Sequence, residues 1–307
     1  MKKYHNILLL FGKSLVTAGL LVYFIFTIKN LVGDYEQAKI KALNRIRPIS
    51  HDNLIAIKHK NKSPDIKDLK LHAYYYQRVT ETIPRRADAY GLLGFCHYYL
   101  GETEKAVDFY QKAIEIRPDF FWFHFNLSVI HFNKGRYTKA IASAQKALGT
   151  DLKKSLAFIL GSQRIYMPVV SKRINAYDDS LKQLFEAGYK DCYVILMLSY
   201  YYLNDYPQVI RQASYPLRAG RKDGDLFFFY SGLASFHMNQ YVQAISFFQE
   251  TLKRNSQIAD AYHYLGLCFL SLNKKELGLG ALKKADLLKR KGEALDFDDR
   301  EVTLEIF

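Results

Sequence analysis

The stretch that decides the fold lies at residues 87–120 and reads ADAYGLLGFCHYYLGETEKAVDFYQKAIEIRPDF. Its apolar residues recur three and four positions apart, which is the spacing of one face of an α-helix. The segment LGET at 100–103 is a turn signal between two such runs. Pro118 closes the second run, because proline cannot continue a helix. The stretch therefore predicts two antiparallel helices joined by a short turn.

The same pattern returns along the chain with a period of 34 or 35 residues. Gly94 is followed by Ala106, Tyr110, Ala113 and Pro118, at offsets of 12, 16, 19 and 24 residues. Small or large apolar residues recur at most of these offsets counted from Ser128, Gly232 and Gly266. A fixed period of this length indicates stacked helix pairs, each burying its apolar face on the next. The residues predicted to build this packing are Tyr90, Gly94, Ala106, Tyr110, Ala113, Pro118, Ala140, Ala147, Gly232, Ala244, Gly266 and Ala285.

This sequence pattern resembles the tetratricopeptide repeat family. Its order is an aromatic residue, Leu-Gly, an aromatic residue or His, Ala, an aromatic residue, Ala and Pro. Residues 87–120 match throughout, whereas 155–189 is divergent. The resemblance implies an all-α fold, a right-handed superhelical solenoid of antiparallel helix pairs over 48–290. The predicted units lie near 53–86, 87–120, 121–154, 155–189, 190–224, 225–258 and 259–290.

An apolar segment near the N-terminus predicts a membrane anchor within residues 1–28. Residues 7–28 read ILLLFGKSLVTAGLLVYFIFTI, and 22 helical residues of about 1.5 Å each reach about 33 Å, enough for a hydrocarbon core of roughly 30 Å. A cleaved signal peptide starting at Lys2 and Lys3 and a buried core helix are the alternatives. Because no small-x-small cleavage site precedes Asp34, we expect an uncleaved, single-pass transmembrane helix.

The charge pattern beyond the anchor gives conflicting signals about orientation. The juxtamembrane segment 29–47 is basic, with Lys39 and Arg45 among its residues, and such segments contact anionic lipid headgroups. Basic residues stand on both sides of the apolar run, but a basic start before it is typical of exported chains. We expect the solenoid on the periplasmic or extracytoplasmic side. The net charge of +14 is spread over helix faces with no nucleic-acid reader motif, so no nucleic acid is expected.

The family resemblance also implies a concave groove, lined mainly by first helices, that binds an extended peptide or a helix. The Lys and Asn clamp of some family members is missing, since Gly91 and Phe95 stand at those places. An aromatic groove favours an apolar or amphipathic protein segment. The alternative for each aromatic residue is packing against a neighbouring helix. The residues that the resemblance places in the groove are Phe95, Tyr98, Tyr99, Trp122, Phe125, Phe132, Tyr201, Tyr202, Phe229, Phe236 and His263.

Signals for catalysis, cofactors and metals are weak. His124 and His131 lie seven residues apart, but no nearby Cys, Asp or Glu completes a ligand set. GKS at 12–14 lacks the first glycine of a phosphate loop and lies in the apolar segment. The three cysteines fall within helical apolar patterns, which predicts buried thiols. We expect neither an enzyme nor a bound cofactor or metal.

The C-terminal segment 291–307 departs from the repeat and is acidic. Val302, Leu304 and Ile306 alternate with polar residues, so the segment could add as a strand to another protein's sheet. Covering the apolar end of the last unit and an unpaired end are the alternatives.

The function expected from these observations is a membrane-anchored scaffold or adaptor that mediates protein–protein interactions in a cell-envelope assembly. The alternative is an assembly or regulatory subunit of a membrane-associated enzyme or of a motility or secretion complex. Binding of nucleic acid or of anionic lipid is a further, weaker alternative, suggested by the net charge and, for lipid, by the basic segment 29–47.

Overall fold

The structure is a computed structural model that describes residues 66–151, 153–155, 174–218 and 224–292. These ranges contain α-helices and no strand. The helices after the first form antiparallel pairs, α2 with α3, α4 with α5, α6 with α7, α8 with α9 and α10 with α11. The bounds are α1 Ile66–Thr82, α2 Ala87–Tyr99, α3 Thr103–Ile116, α4 Phe121–Asn133, α5 Tyr137–Leu148, α6 Ile174–Tyr202, α7 Tyr206–Arg218, α8 Asp225–His237, α9 Tyr241–Arg254, α10 Ala259–Ser271 and α11 Lys275–Lys291.

The two helices of every pair are joined by the same turn. In the first pair Gly101 has a left-handed φ of 80°. Its amide donates to the carbonyl oxygen of Tyr98 at 2.9 Å, and the amide of Glu102 donates to that of His97 at 2.8 Å. These bonds satisfy carbonyl groups at the end of α2, and the left-handed residue favours Gly or Asn. The equivalent left-handed residues of the later pairs are Gly135, Asn204, Asn239 and Asn273.

Small residues on several first helices lie against large side chains of their partner helices. A Cβ atom built on Gly94 would lie 2.8 Å from the ring of Tyr110, and one on Gly232 would lie 2.6 Å from the ring of Phe248. Because carbon atoms pack at about 3.5–4.0 Å, neither site has room for a methyl group without a shift of its neighbour. The repeat alanines at these contacts are buried, namely Ala106, Ala113, Ala140, Ala147, Ala244 and Ala285.

Helix α6 differs from the sequence-based division into units. It runs for 29 residues without a break through the boundary predicted between 189 and 190, since it contains no proline to end it. Its later part packs directly on the preceding pair: the rings of Tyr137 and Tyr202 stack at 4.8 Å, and a Cβ on Gly188 would lie 2.8 Å from Trp122. The later part of α6 is therefore in direct contact with the preceding pair, whereas residues 156–173 of the predicted unit at 155–189 lie outside the described residues.

Several predicted segments lie outside the described residues. They are the anchor at 7–28, the basic segment 29–47, the first helix of the unit near 53–86 and the acidic tail beyond Gly292. Helix α1 ends at Thr82, two residues before Pro84, as a second helix of a repeat does. Within the described part of the chain no helix combines the length and the apolar character that a membrane crossing requires.

Candidate protein-binding surface

Four of the predicted groove residues lie in the core of the solenoid. The side chains of Phe95, Trp122, Phe125 and Phe229 expose 4%, 6%, 0% and 1% of their surface. The stacking of successive pairs covers such positions: the ring of Phe229 contacts that of Tyr264 in the next pair, with centroids 6.5 Å apart. These four rings therefore stabilise the stack and do not line an open groove, which corrects the prediction for them.

The remaining predicted residues keep part of their surface accessible. All except His263 lie in the last turn of a first helix, next to the turn that joins the two helices of a pair. Tyr202 is 50% exposed. His263 is also exposed. The half-buried residues are Tyr98, Tyr99, Phe132, Tyr201 and Phe236.

Three tyrosines on the other side of these turns belong to the same surface and were not among the predicted residues. Tyr137, Tyr206 and Tyr241 are the first residues of α5, α7 and α9. The hydroxyl of Tyr206 donates to Oδ1 of Asn204 at 2.9 Å, and that of Tyr241 donates to Oδ1 of Asn239 at 2.8 Å, which holds each ring beside its turn. The signal was present in the sequence, because KGRY, LNDY and MNQY each end in tyrosine.

Stacked rings connect these residues from one pair to the next. Tyr137 stacks on Tyr202 with centroids 4.8 Å apart and planes at 14°. Tyr206 stacks on His237 at 4.9 Å and 11°. Each such pair adds about 0.5–1.5 kcal/mol beyond the area that it buries. We call this surface the aromatic row, and it comprises Tyr98, Tyr99, Phe132, Tyr137, Tyr201, Tyr202, Tyr206, Phe236, His237 and Tyr241.

Polar contacts border the row at one end, and an open depression borders it at the other. Nδ2 of Asn133 donates to the hydroxyl oxygen of Tyr98 at 3.0 Å. Beside Tyr241 lies an open depression with a volume of about 490 Å³, and Val242 and Leu272 are among the residues that line it. The row therefore offers large rings, hydroxyl groups at their edges, and apolar side chains at its far end.

The two histidines of α4 occupy structural positions. Nε2 of His124 donates to the carbonyl oxygen of Pro118 at 2.7 Å, and burial lowers the pKa of this imidazole. His131 is buried with no hydrogen-bond partner for its Nδ1, and burial, Lys139 and Arg136 lower its pKa. Among the described residues, no three His, Cys, Asp or Glu side chains gather as metal ligands.

Comparison with known proteins identifies the repeats. Two family models, both described as tetratricopeptide repeat, match residues 87–120 and 109–142. Residues 87–142 are therefore similar in sequence to tetratricopeptide repeats. The matched residues span α2 to the first part of α5, which carry Tyr98, Tyr99, Phe132 and Tyr137 of the aromatic row.

Two solved structures share the arrangement of the helices. The crystal structure of YrrB, a TPR protein with an unusual peptide-binding site, is 16% identical with a TM-score of 0.52, over 70% of this chain and 92% of that chain. The crystal structure of the MamA protein is 16% identical with a TM-score of 0.50, over 71% of this chain and 97% of that chain. At such identities the likeness shows the fold alone. Comparison with curated protein sequences gave no match.

Proposed function

We propose that the chain is a membrane-anchored scaffold or adaptor that holds a protein partner in a cell-envelope assembly. Solenoids of stacked repeats present extended surfaces suited to protein binding. The observation that carries the proposal is the aromatic row, in which ring contacts run without interruption from Phe132 to Tyr241. We expect the chain to bind its partner and not to perform chemistry on it.

The chemistry of the row indicates the kind of partner. Tyrosine rings bury a large apolar area at a small cost in conformational entropy, and their hydroxyls bond to polar groups at the edge of a contact. Such a surface favours an apolar or amphipathic segment whose side chains fit between the rings. The peptide-binding site named in the description of YrrB supports a peptide segment as the partner.

The membrane part of the proposal rests on the sequence of residues 7–28 and of the basic segment after it. The anchor would hold the solenoid at the membrane on its periplasmic or extracytoplasmic side. Protease treatment of intact and of permeabilised cells tests this orientation. A solenoid that is degraded only after the inner membrane is opened contradicts the proposed side.

Site-specific photocrosslinking tests the binding surface. A photoreactive phenylalanine derivative replaces Tyr202 in the row or, as a matched control, Tyr74 on α1, which is similarly exposed at 57% but lies outside the row. We expect a discrete protein adduct from position 202 that position 74 does not give. The same adducts from both positions, or none from position 202, would rule out binding at the row.

A further inference from the structure

The last helix pair exposes a position that the first two pairs bury and that the pair before the last half-buries. On the second helices, Val107 and Ile141 expose only 7% and 8% of their surface because the next pair packs on them. Ile245 at the equivalent position of α9 is half-buried. The residue of α11 in the same register is Leu279, which is 53% exposed. The last described helix pair therefore exposes an apolar side chain at a position where earlier pairs pack against their neighbours.

The first helix of the last pair shows the same change. Phe125 and Phe229 are buried. The residue in their register on α10 is His263, which is exposed, and Leu267 beside it is only half-buried. On α11, Lys283 and Arg290 follow Leu279 by four and eleven residues, so they share its side of the helix. We call this surface the end face: His263, Leu267, Leu279, Lys283 and Arg290.

The charge of α11 is opposite to that of the segment that follows it. Helix α11 has six basic and two acidic residues, and three of the basic residues stand in its last turn. Residues 293–307 have six acidic residues and one basic residue. Two such segments attract each other at low salt, and the attraction weakens as salt is added. The apolar side chains of Leu295 and Phe297 lie among these acids.

The length and the starting point of this segment also fit the end face. Gly292, which caps α11, has a left-handed φ of 66°, a conformation that turns the chain away from the helix axis. One period of 34 residues after Ala259 is residue 293, where the first helix of another pair would begin. The segment has 15 residues, whereas each first helix of α8 and α10 has 13.

We propose that residues 293–307 fold back in the same molecule and cover the end face. The acidic side chains lie against Lys283, Arg290 and the last turn of α11, and the apolar ones cover Leu279. The cover removes exposed apolar surface from the end of the solenoid and keeps a second copy of the chain from stacking there.

Thiol labelling of the end face tests the proposal. The variant Leu279→Cys is prepared in the full chain and in a chain that ends at Gly292, and its reaction with a soluble thiol reagent is timed. The three natural cysteines are buried and serve as a silent background. We expect labelling to be about tenfold slower in the full chain, since a cover that is closed most of the time protects the thiol. The matched control Val242→Cys, at a position 72% exposed in another helix, labels equally in both chains.

Two further measurements separate the possible occupants. Protection by the tail of the same molecule is independent of protein concentration, so protection that rises with concentration assigns the end face to a second copy and overturns the proposal. Equal labelling of Leu279→Cys in both chains also overturns it. Should the shortened chain fail to fold, reversal of four tail charges in the full chain (E293K, D296K, D298K and D299K) replaces it. That variant must label faster than the unaltered tail, and an unchanged rate contradicts the proposal.

Discussion

Substitution of Gly232 by alanine tests the close contact between the helices of a pair. A Cβ atom on this residue would lie 2.6, 2.8 and 2.9 Å from three atoms of the Phe248 ring. The ring has no free space into which it could move, because Phe248 is completely buried, stacks on Tyr264 at 5.9 Å and meets Phe229 edge-on at 6.0 Å. The substitution must therefore push α8 away from α9.

The magnitude follows from two opposing effects. An extra methyl group in a well-packed core costs about 1–3 kcal/mol, and three contacts below 3.0 Å place this site in the upper half of that range. Replacing glycine by alanine inside a helix contributes about 1 kcal/mol in the opposite direction. We expect Gly232→Ala to lower the free energy of unfolding by about 1–2 kcal/mol.

The matched control is Gly280→Ala in α11, where the new methyl group would meet no atom within 4 Å. There only the helix propensity acts, so stability should rise by about 0.5–1 kcal/mol. Urea unfolding followed by far-ultraviolet circular dichroism measures both variants. Shifts of the midpoint in the same direction would refute the packing argument. A second check is Phe248→Leu, which should reduce the cost of Gly232→Ala if the ring is the obstacle.

Three other predictions concern buried polar groups. Nδ2 of Asn126 donates to the hydroxyl oxygen of Tyr110 at 2.9 Å, which joins two helix pairs. Tyr110→Phe should therefore lower the free energy of unfolding in urea by about 1–2 kcal/mol. A decrease below about 0.3 kcal/mol would contradict a role of this hydrogen bond in stacking. The pKa of His131 is lowered in the folded chain, whereas in the unfolded chain a histidine has its ordinary pKa of about 6.5. Near and below that pH the unfolded chain therefore binds more protons than the folded chain. The free energy of unfolding should be fully retained above about pH 6.5 and should fall below it. The variant His131→Phe should show a smaller loss of unfolding free energy between about pH 7.5 and pH 5.5, and an unchanged loss would exclude this residue as the cause. Burial raises the pKa of Cys96 to about 12 and that of Cys268 to about 11. At neutral pH both thiols should therefore react with a soluble thiol reagent only as the chain unfolds. Fast labelling of the folded chain would disprove their burial.

The sequence predicted the helix pairs well because their physics is local. A turn needs a left-handed residue, and Gly101 and Asn239 take that conformation at equivalent places. A close helix contact needs a small residue, and Gly94 and Gly232 lie against large rings. These requirements involve residues within one period, so spacing alone was enough to find them.

The divergent region was harder to predict because it lacks such local markers. Nothing between Ile174 and Tyr202 obliges a helix to end, since the segment has no proline and its only glycine, Gly188, lies against Phe121 and Trp122. A glycine needed for a close helix contact looks the same in sequence as a glycine in a turn. Only the contact between α6 and α4 distinguishes the two roles.

Some of the residues predicted to line a groove are buried for a related reason. Sequence position assigns a side chain to a helix face, but it does not tell how deeply the next pair covers that face. Large rings such as Phe125 and Phe229 need to be buried, and stacked pairs bury them almost completely. The accessible aromatic surface is then left beside the turns, where the stacked rings of Tyr137 and Tyr202 join one pair to the next. A partner bound there would contact two pairs at once, so its affinity should depend on how those pairs are stacked.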